Sequence, residues 1–164
     1  MTAIDVGLLA LRVWAGVVMI AHGANHARKV EGTTSWFGKV GFKAPRINAM
    51  LSAVGELAIG AALVVGLFTP VAAAGLAAIM TVAFWSIHRF AGFFVFHRPD
   101  EGYEYVATLG VIALALAIAG PGSVSIDALL GLDQSLNGWV GAAIFAAGLA
   151  VAAVQLALFW NRPD

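Results

Sequence analysis

The chain has 164 residues, of which 61% are hydrophobic and 11% are charged, and its mean hydropathy is +0.90. About a quarter of the residues of a soluble domain are charged, so this composition excludes an ordinary soluble protein and indicates a membrane protein. Nine basic and nine acidic residues cancel, which leaves no excess of basic charge to indicate nucleic-acid binding.

Cysteine is absent from the chain. Disulfides, cysteine nucleophiles, thiolate metal sites and cysteine-ligated iron–sulfur clusters are therefore excluded. Any redox role must use a bound cofactor or another subunit.

Five apolar runs approach or exceed the length of about 20 residues that a helix needs to cross a bilayer. They cover about residues 5–24, 45–68, 70–90, 103–119 and 138–160. The first run is not typical of a signal peptide, because residues 1–6 lack a basic residue and Arg12 interrupts the apolar stretch. We therefore predict an all-α, polytopic membrane helical bundle in which the first run is a retained span.

The segment between the first two runs, residues 31–44, mixes Trp36, Phe37 and Phe42 with lysines. This pattern is typical of a short helix that lies in the headgroup region. An ordinary polar loop is the alternative.

Small residues recur at helical spacing in the spans, as at Gly16, Gly23, Gly55, Gly60 and Gly148. Such positions allow helices to approach closely in lipid. We therefore expect one compact bundle.

The distribution of lysine and arginine predicts the orientation, because basic residues are retained on the cytoplasmic side. Eight of the nine basic residues fall in loops that alternate topology places on one side: Arg28, Lys29, Lys39, Lys43, Arg46, Arg89, Arg98 and Arg162. The ninth, Arg12, lies inside a span. The predicted orientation has the N-terminus outside and the C-terminus in the cytoplasm of a multi-pass protein of the cell membrane.

Two charges lie within the predicted spans, Arg12 in the first and Glu56 in the second. Charged groups at this depth face the bundle interior and pair with one another, so we predict an intramembrane ion pair between them. One interpretation is a proton-active or substrate-facing carboxylate held by the guanidinium. The other is a structural pair that fixes helix register.

All four histidines, His22, His26, His88 and His97, are expected at the same end of the bundle. His22 and His88 reach similar depth, near Tyr103 and Glu104, and the four residues are our candidate lining for a quinone headgroup, whose carbonyls need hydrogen-bond donors and proton partners. Three alternatives remain open: polar anchors at the membrane interface, a metal held by His22 and His26, and a haem between His22 and His88. The HxxxH spacing lacks the glutamate of a zinc-protease motif, and we predict no metal site.

Several stretches resemble the DoxX family of small bacterial membrane proteins, which is related to the DoxD-type subunit of a thiosulfate:quinone oxidoreductase. They are LLALRVWAGVVMIAHGANH (8–26), EGTTSWFGKVGF (31–42), VGELAIGAALVVGLFTPVAA (54–73), GFFV (92–95), EGYEYVATL (101–109) and GPGSVSID (120–127). The family usually has a lysine where this chain has His26, which weakens any role for that position.

The resemblance implies a four-helix transmembrane core, here residues 1–130, followed by a linker and an added fifth span in residues 131–164. It also implies a membrane subunit of a redox or oxidative-stress complex, with partner subunits and a quinone as a plausible cofactor. Alternatively, the protein assembles with copies of itself as a homo-oligomer. Two other functions remain open: a non-catalytic scaffold that docks a partner through its glycine and alanine seams, and a carrier of a small molecule or ion that uses Glu56.

Overall fold

The computed structural model describes residues 1–96 and 101–163 of the chain. Within these ranges the α-helices are Ala3–Arg28 (α1), Val30–Lys39 (α2), Pro45–Val65 (α3), Thr69–Ser86 (α4), Glu104–Ala119 (α5), Ile126–Leu129 (α6) and Gly138–Phe159 (α7), with a 3₁₀ turn at His88–Phe90. The described chain has no β-strand, and Phe42 and Trp160 form an isolated antiparallel bridge. The predicted all-α fold is confirmed.

Four helices, α1, α3, α4 and α7, are long and apolar enough to cross a membrane. Helix α5 has 16 residues, which at 1.5 Å per residue gives about 24 Å. This is shorter than the roughly 30 Å hydrocarbon core of a bilayer. The protein is thus a multi-pass membrane bundle, and a full crossing by the predicted span at 103–119 stays a prediction.

Helices α1, α3, α4 and α5 enclose the main core, and α7 packs against α4 and α5. The core is built from small and medium side chains, including Ala15, Met19, Leu63, Leu76 and Leu116. Much of α7 is exposed, with Gly141 and Ala152 as its buried residues. In a membrane this exposed apolar surface contacts lipid. The predicted division into residues 1–130 and 131–164 stays a prediction.

The bundle has two ends with different chemistry. We call the end where residues 66–68 join α3 to α4 the turn end. The opposite end, which holds His22, His26 and His88, is the histidine end. Helix α2 lies at the histidine end against α3 and buries Thr33 and Phe37. The predicted helix is confirmed over Val30–Lys39, while residues 40–44 are not helical. The position of the segment in the headgroup region stays a prediction.

Glycines bring α1 and α3 into close contact. A methyl group at Gly16 would lie 2.6 Å from the Gly60 carbonyl oxygen, and one at Gly60 would lie 2.7 Å from the Gly16 oxygen. One at Gly23 would meet the Ala53 carbonyl oxygen at 2.9 Å. The predicted small-residue contact thus exists at these positions. Gly55 does not belong to it, since a methyl group there would meet only Ile79 at 4.0 Å.

The predicted ion pair between Arg12 and Glu56 is wrong. Arg12, 1% exposed, donates from Nη1 to the carbonyls of Leu63 and Val64 at 2.8 Å each, and from Nη2 to the Val124 carbonyl at 2.5 Å. Leu63 is seven residues beyond Glu56, about 10 Å further along α3. The last carbonyls of a helix lack intrahelical partners and carry partial negative charge. Arg12 satisfies these carbonyls instead of the carboxylate.

Asp127 holds the other side of the same turn. Its carboxylate accepts from the backbone N–H of Phe68 at 2.6 Å and of Thr69 at 2.8 Å, where α4 begins. Gly66 has φ +69°, and a methyl group there would collide with the Arg12 guanidinium and with Ser125. A cation at the C-terminus of α3 and an anion at the N-terminus of α4 both complement the helix dipoles. The α3–α4 turn is therefore fixed by two buried charges.

The close contact between α1 and α3 predicts that adding a methyl group at Gly16 lowers the stability of the protein, whereas adding one at an uncrowded glycine does not. Gly16→Ala should destabilise the protein by about 1–3 kcal/mol, because its Cβ overlaps the α3 backbone. Gly110→Ala is the matched control, since nothing lies within 4 Å of a Cβ there. Unfolding midpoints in detergent micelles measure both changes. Equal effects would mean that α1 and α3 do not touch at Gly16.

The Arg12 contacts predict independence from Glu56. Arg12→Gln should cost about 3 kcal/mol, because buried helix-end carbonyls lose their donor. In a double-mutant cycle with Glu56→Gln the two effects should add to within about 0.5 kcal/mol, as expected of separate sites. A coupling energy well above that would restore the direct ion pair.

Candidate functional site

A cavity of about 480 Å³ lies at the histidine end, between α1, α3, α4 and α5, with α2 beside it. Its volume falls within the range of about 300–1,000 Å³ that is typical of small-molecule sites. Apolar side chains such as Met80 and Leu109 form much of the wall. The polar side chains with the clearest chemistry are His22, His26, Ser52, Glu56, His88 and Tyr105.

Glu56 is the buried carboxylate of the cavity, with 3% of its surface exposed. Ser52, one turn earlier on α3, donates its hydroxyl to Glu56 Oε1 at 2.6 Å. His26 Nδ1 lies 3.2 Å from Glu56 Oε2. The hydrogen-bond partner of that nitrogen is the Ser52 hydroxyl oxygen, at 3.5 Å, and Oε2 is buried without a hydrogen-bond partner. Buried polar atoms are normally satisfied, and this oxygen is therefore a feature that a ligand can use.

His88 and Tyr105 form the second polar pair. His88 Nδ1 lies 2.6 Å from the Glu101 carbonyl oxygen, and the Tyr105 hydroxyl lies 2.8 Å from His88 Nε2. A carbonyl oxygen only accepts, so Nδ1 carries the proton and, in the neutral ring, Nε2 accepts from the tyrosine. This pairing fixes the tautomer of His88 and the direction of the Tyr105 hydroxyl.

The structure brings His22 and His88 to the same cavity, where each predicted histidine contacts the Tyr105 ring. The His22 and Tyr105 rings are stacked with centroids 6.5 Å apart, and the His88 and Tyr105 rings meet edge-on at 5.0 Å. His22 is exposed, whereas His88 is buried. His22 therefore lies at the rim of the cavity and His88 in its wall. His97 and Arg98 lie outside the described residues.

Tyr103 and Glu104, the other two predicted residues, are absent from the cavity lining. Tyr103 packs edge-on against Phe84 and Phe93, with centroids 5.2 and 5.5 Å apart. Glu104 accepts from the Val95 backbone N–H at 3.2 Å. Tyr105 follows Tyr103 by two residues, about 200° around a helix, and this rotation selects Tyr105 for the cavity. The choice of Tyr103 and Glu104 is corrected to Tyr105, with Glu101 beside it.

Two further residues gain a place at the site. His26, to which the sequence assigned little weight, has its Nδ1 3.2 Å from Glu56 Oε2. Gln155 reaches in from α7 and donates to Asn48 Oδ1 on α3 at 3.2 Å. Ser52 shares the helical face of Glu56, so its position could be read from spacing. The contribution of α7 could not, because nothing in the sequence relates residues 48 and 155.

The geometry also bears on the metal and haem alternatives. Both ring nitrogens of His88 are engaged in hydrogen bonds, so neither has a free lone pair for iron. Among residues 1–96 and 101–163, no three histidine or acidic side chains gather as a metal site would require. His26 Nδ1 lies next to Glu56, which does not favour a metal held jointly by His22 and His26.

The fold and the cavity define a class: a multi-pass membrane helical bundle with a polar, ligand-sized cavity at one end. The chain belongs to the DoxX family, whose model matches residues 7–89. This range contains His22, His26, Glu56 and His88, whereas Tyr105 lies beyond it. The family resemblance of the sequence is thus confirmed.

A curated relative supports the same family. "Putative oxidoreductase CatD" of Bacillus subtilis (strain 168) is 30% identical over 112 residues, which are 68% of this chain and 79% of the relative. No solved structure matches the chain.

The hydrogen bonds of His88 predict its tautomer. Histidine labelled with ¹⁵N should show neutral His88 with the proton on Nδ1. Tyr105→Phe should move the Nε2 resonance toward that of an unbonded nitrogen, because it removes the donor hydroxyl. Tyr103→Phe is the matched control and should leave the resonance in place. If only Tyr103→Phe shifted the Nε2 resonance, Tyr103 and not Tyr105 would be the hydrogen-bond partner of His88.

Proposed function

We propose that this protein is a membrane component of a redox system and that its cavity binds a quinone-type ring. The observation that carries the proposal is the 480 Å³ cavity with the unpartnered, buried Oε2 of Glu56. The DoxX match and a relative named as an oxidoreductase support a redox association. Because the chain has no cysteine, a bound redox group or a partner subunit must supply the electron chemistry.

The lining suits such a ring in shape and polarity. Met80, Leu109 and Ile79 provide apolar surface for a flat hydrocarbon face. Glu56 and Tyr105 provide polar atoms for ring oxygens. Small-molecule sites are usually lined by apolar side chains with a small number of polar groups. A bound quinone would supply reversible two-electron chemistry that the side chains themselves lack.

The side chains can hold and move protons near the ring. Glu56 and His26 both line the cavity, and the His26 side chain is 22% exposed. A proton taken up by Glu56 can therefore pass to His26 and on to the surface. Tyr105 and His88 are hydrogen-bonded to each other, and this chain of hydrogen bonds ends at the Glu101 carbonyl. A proton-accepting group must be within hydrogen-bond reach of the atom it serves, and both pairs lie at the cavity wall.

The proposal includes a location in the cell membrane, with the N-terminus outside and the histidine end toward the cytoplasm. Seven basic residues of the described chain flank helices at the histidine end, and Arg12 is the basic residue of the turn end. Retention of basic residues in the cytoplasm supports this orientation. It would place the cavity where a cytoplasmic partner subunit can reach it.

Two other functions have less support. The glycines at positions 16, 23 and 60 are used within the chain, between α1 and α3, so they do not favour a scaffold that docks a partner through them. Glu56 contacts Ser52 and His26, and no feature of the described residues favours a carrier over a binding site.

Filling the cavity tests the proposal. Ala83→Phe should lower the affinity for trimethylhydroquinone at least tenfold, because Ala83 lines the cavity and the added ring occupies its volume. Ala61→Phe, the same change at an exposed position of α3, should have no effect. Calorimetric titration of the protein in lipid nanodiscs measures both affinities. Binding that is unsaturable or identical in the two variants would reflect partition into lipid and would refute the cavity site.

A further inference from the structure

We propose that the cavity binds the reduced, dihydroxy form of a quinone-type ring more tightly than the oxidised, dicarbonyl form, because its buried polar groups offer acceptors. The inference rests on the proposed function and adds the redox state that the site prefers. It follows from where each buried proton of the lining is directed.

The hydroxyl protons of the lining are already used within the protein. Ser52 donates to Glu56 Oε1 at 2.6 Å, and Ser86 donates to the Val82 carbonyl at 2.7 Å. The Tyr105 hydroxyl donates to His88 Nε2. Each oxygen keeps lone pairs but has no proton left for a ligand. Three hydroxyl groups that could have donated to a carbonyl therefore act as acceptors.

The buried amide of Asn48 and the buried histidine follow the same pattern. Asn48 donates to the carbonyls of Lys43 and Ala44 at 2.9 and 3.3 Å. Gln155 donates one of its two N–H groups to Asn48 Oδ1, and its carbonyl oxygen remains an acceptor. His88 uses its single proton on the Glu101 carbonyl. His26, which is half-buried, has its Nδ1 directed at the Ser52 hydroxyl oxygen at 3.5 Å. The remaining donors are the second N–H of half-buried Gln155 and the exposed side chains His22, Asn25 and Trp36.

Glu56 gives the preference its strength. An ionised carboxylate can only accept, and Glu56 Oε2 is buried without a hydrogen-bond partner. A phenolic hydroxyl can donate to this oxygen in a charge-assisted hydrogen bond. A quinone carbonyl would instead face it with lone pairs and would leave both oxygens unsatisfied, which is costly for buried polar groups. Sites built around such a group reject analogues that lack the matching donor.

A ligand series tests the preference on the unmodified protein. Trimethylhydroquinone, its dimethyl ether and trimethylbenzoquinone share one ring and differ in their donors. We expect the hydroquinone to bind at least tenfold more tightly than the other two in calorimetric titrations with nanodiscs under argon. The absence of cysteine prevents addition of the quinone to a thiol during the measurement.

The outcomes separate the two proposals. Equal affinities, or tighter binding of the quinone or the ether, would overturn the preference and leave the quinone-type site in place. If none of the three ligands binds saturably, the proposed function itself fails, and the preference with it.

A variant pair assigns the preference to Glu56. Glu56→Gln adds a donor at the same position and should reduce the affinity ratio of hydroquinone to quinone at least tenfold. Glu104→Gln, at a carboxylate of the same end but outside the cavity, should keep the wild-type ratio. A ratio unchanged in Glu56→Gln would overturn the role of this carboxylate. If Glu56→Gln fails to fold, the ligand series on the unmodified protein decides.

The redox potential provides an independent measurement. Tighter binding of the reduced form raises the midpoint potential of the bound couple, by about 30 mV for each tenfold difference in affinity of a two-electron couple. A potential of the bound couple equal to or below that of the free couple would overturn the preference.

Discussion

The central constraint on this protein is the need to satisfy buried polar groups where the bilayer provides no water. The α3–α4 turn leaves carbonyls at the end of one helix and N–H groups at the start of the next without intrahelical partners, and a buried polar group without a partner costs about 1–3 kcal/mol. Arg12 and Asp127 satisfy these two sets with full charges. The rest of the bundle depends on this turn, because the turn sets the relative orientation of α3 and α4.

The same constraint distinguishes the histidine end of the bundle from the turn end. At the turn end, the buried charges bind backbone groups, and their role is structural. At the histidine end, Glu56 has Ser52 and His26 nearby, yet Oε2 has no hydrogen-bond partner. The two charges that were expected to neutralise one another thus serve separate tasks about 10 Å apart along α3. One fixes the fold, and the other remains available to a ligand.

The arrangement also explains how a small bundle provides a site. Glycine contacts hold α1 against α3 at Gly16, Gly23 and Gly60, and the cavity lies at the histidine end between α1, α3, α4 and α5. Aromatic rings at His22, Tyr105 and His88 line one side of it. Helix α7 contributes Gln155, so a helix outside the family match takes part in the wall.

The sequence by itself determined the membrane class, the helical spans, the DoxX family and the gathering of histidines at one end, because these follow from hydropathy, length and motif order along the chain. It also identified Gly16, Gly23 and Gly60 as contact positions. Which side chains contact one another was decided only by the tertiary structure. Arg12 bonds to backbone carbonyls that carry no side-chain signature, a rotation of about 200° exchanges Tyr103 for Tyr105, and His26 meets Glu56 across two helices. Such choices depend on helix rotation and register, which short-range sequence patterns do not encode.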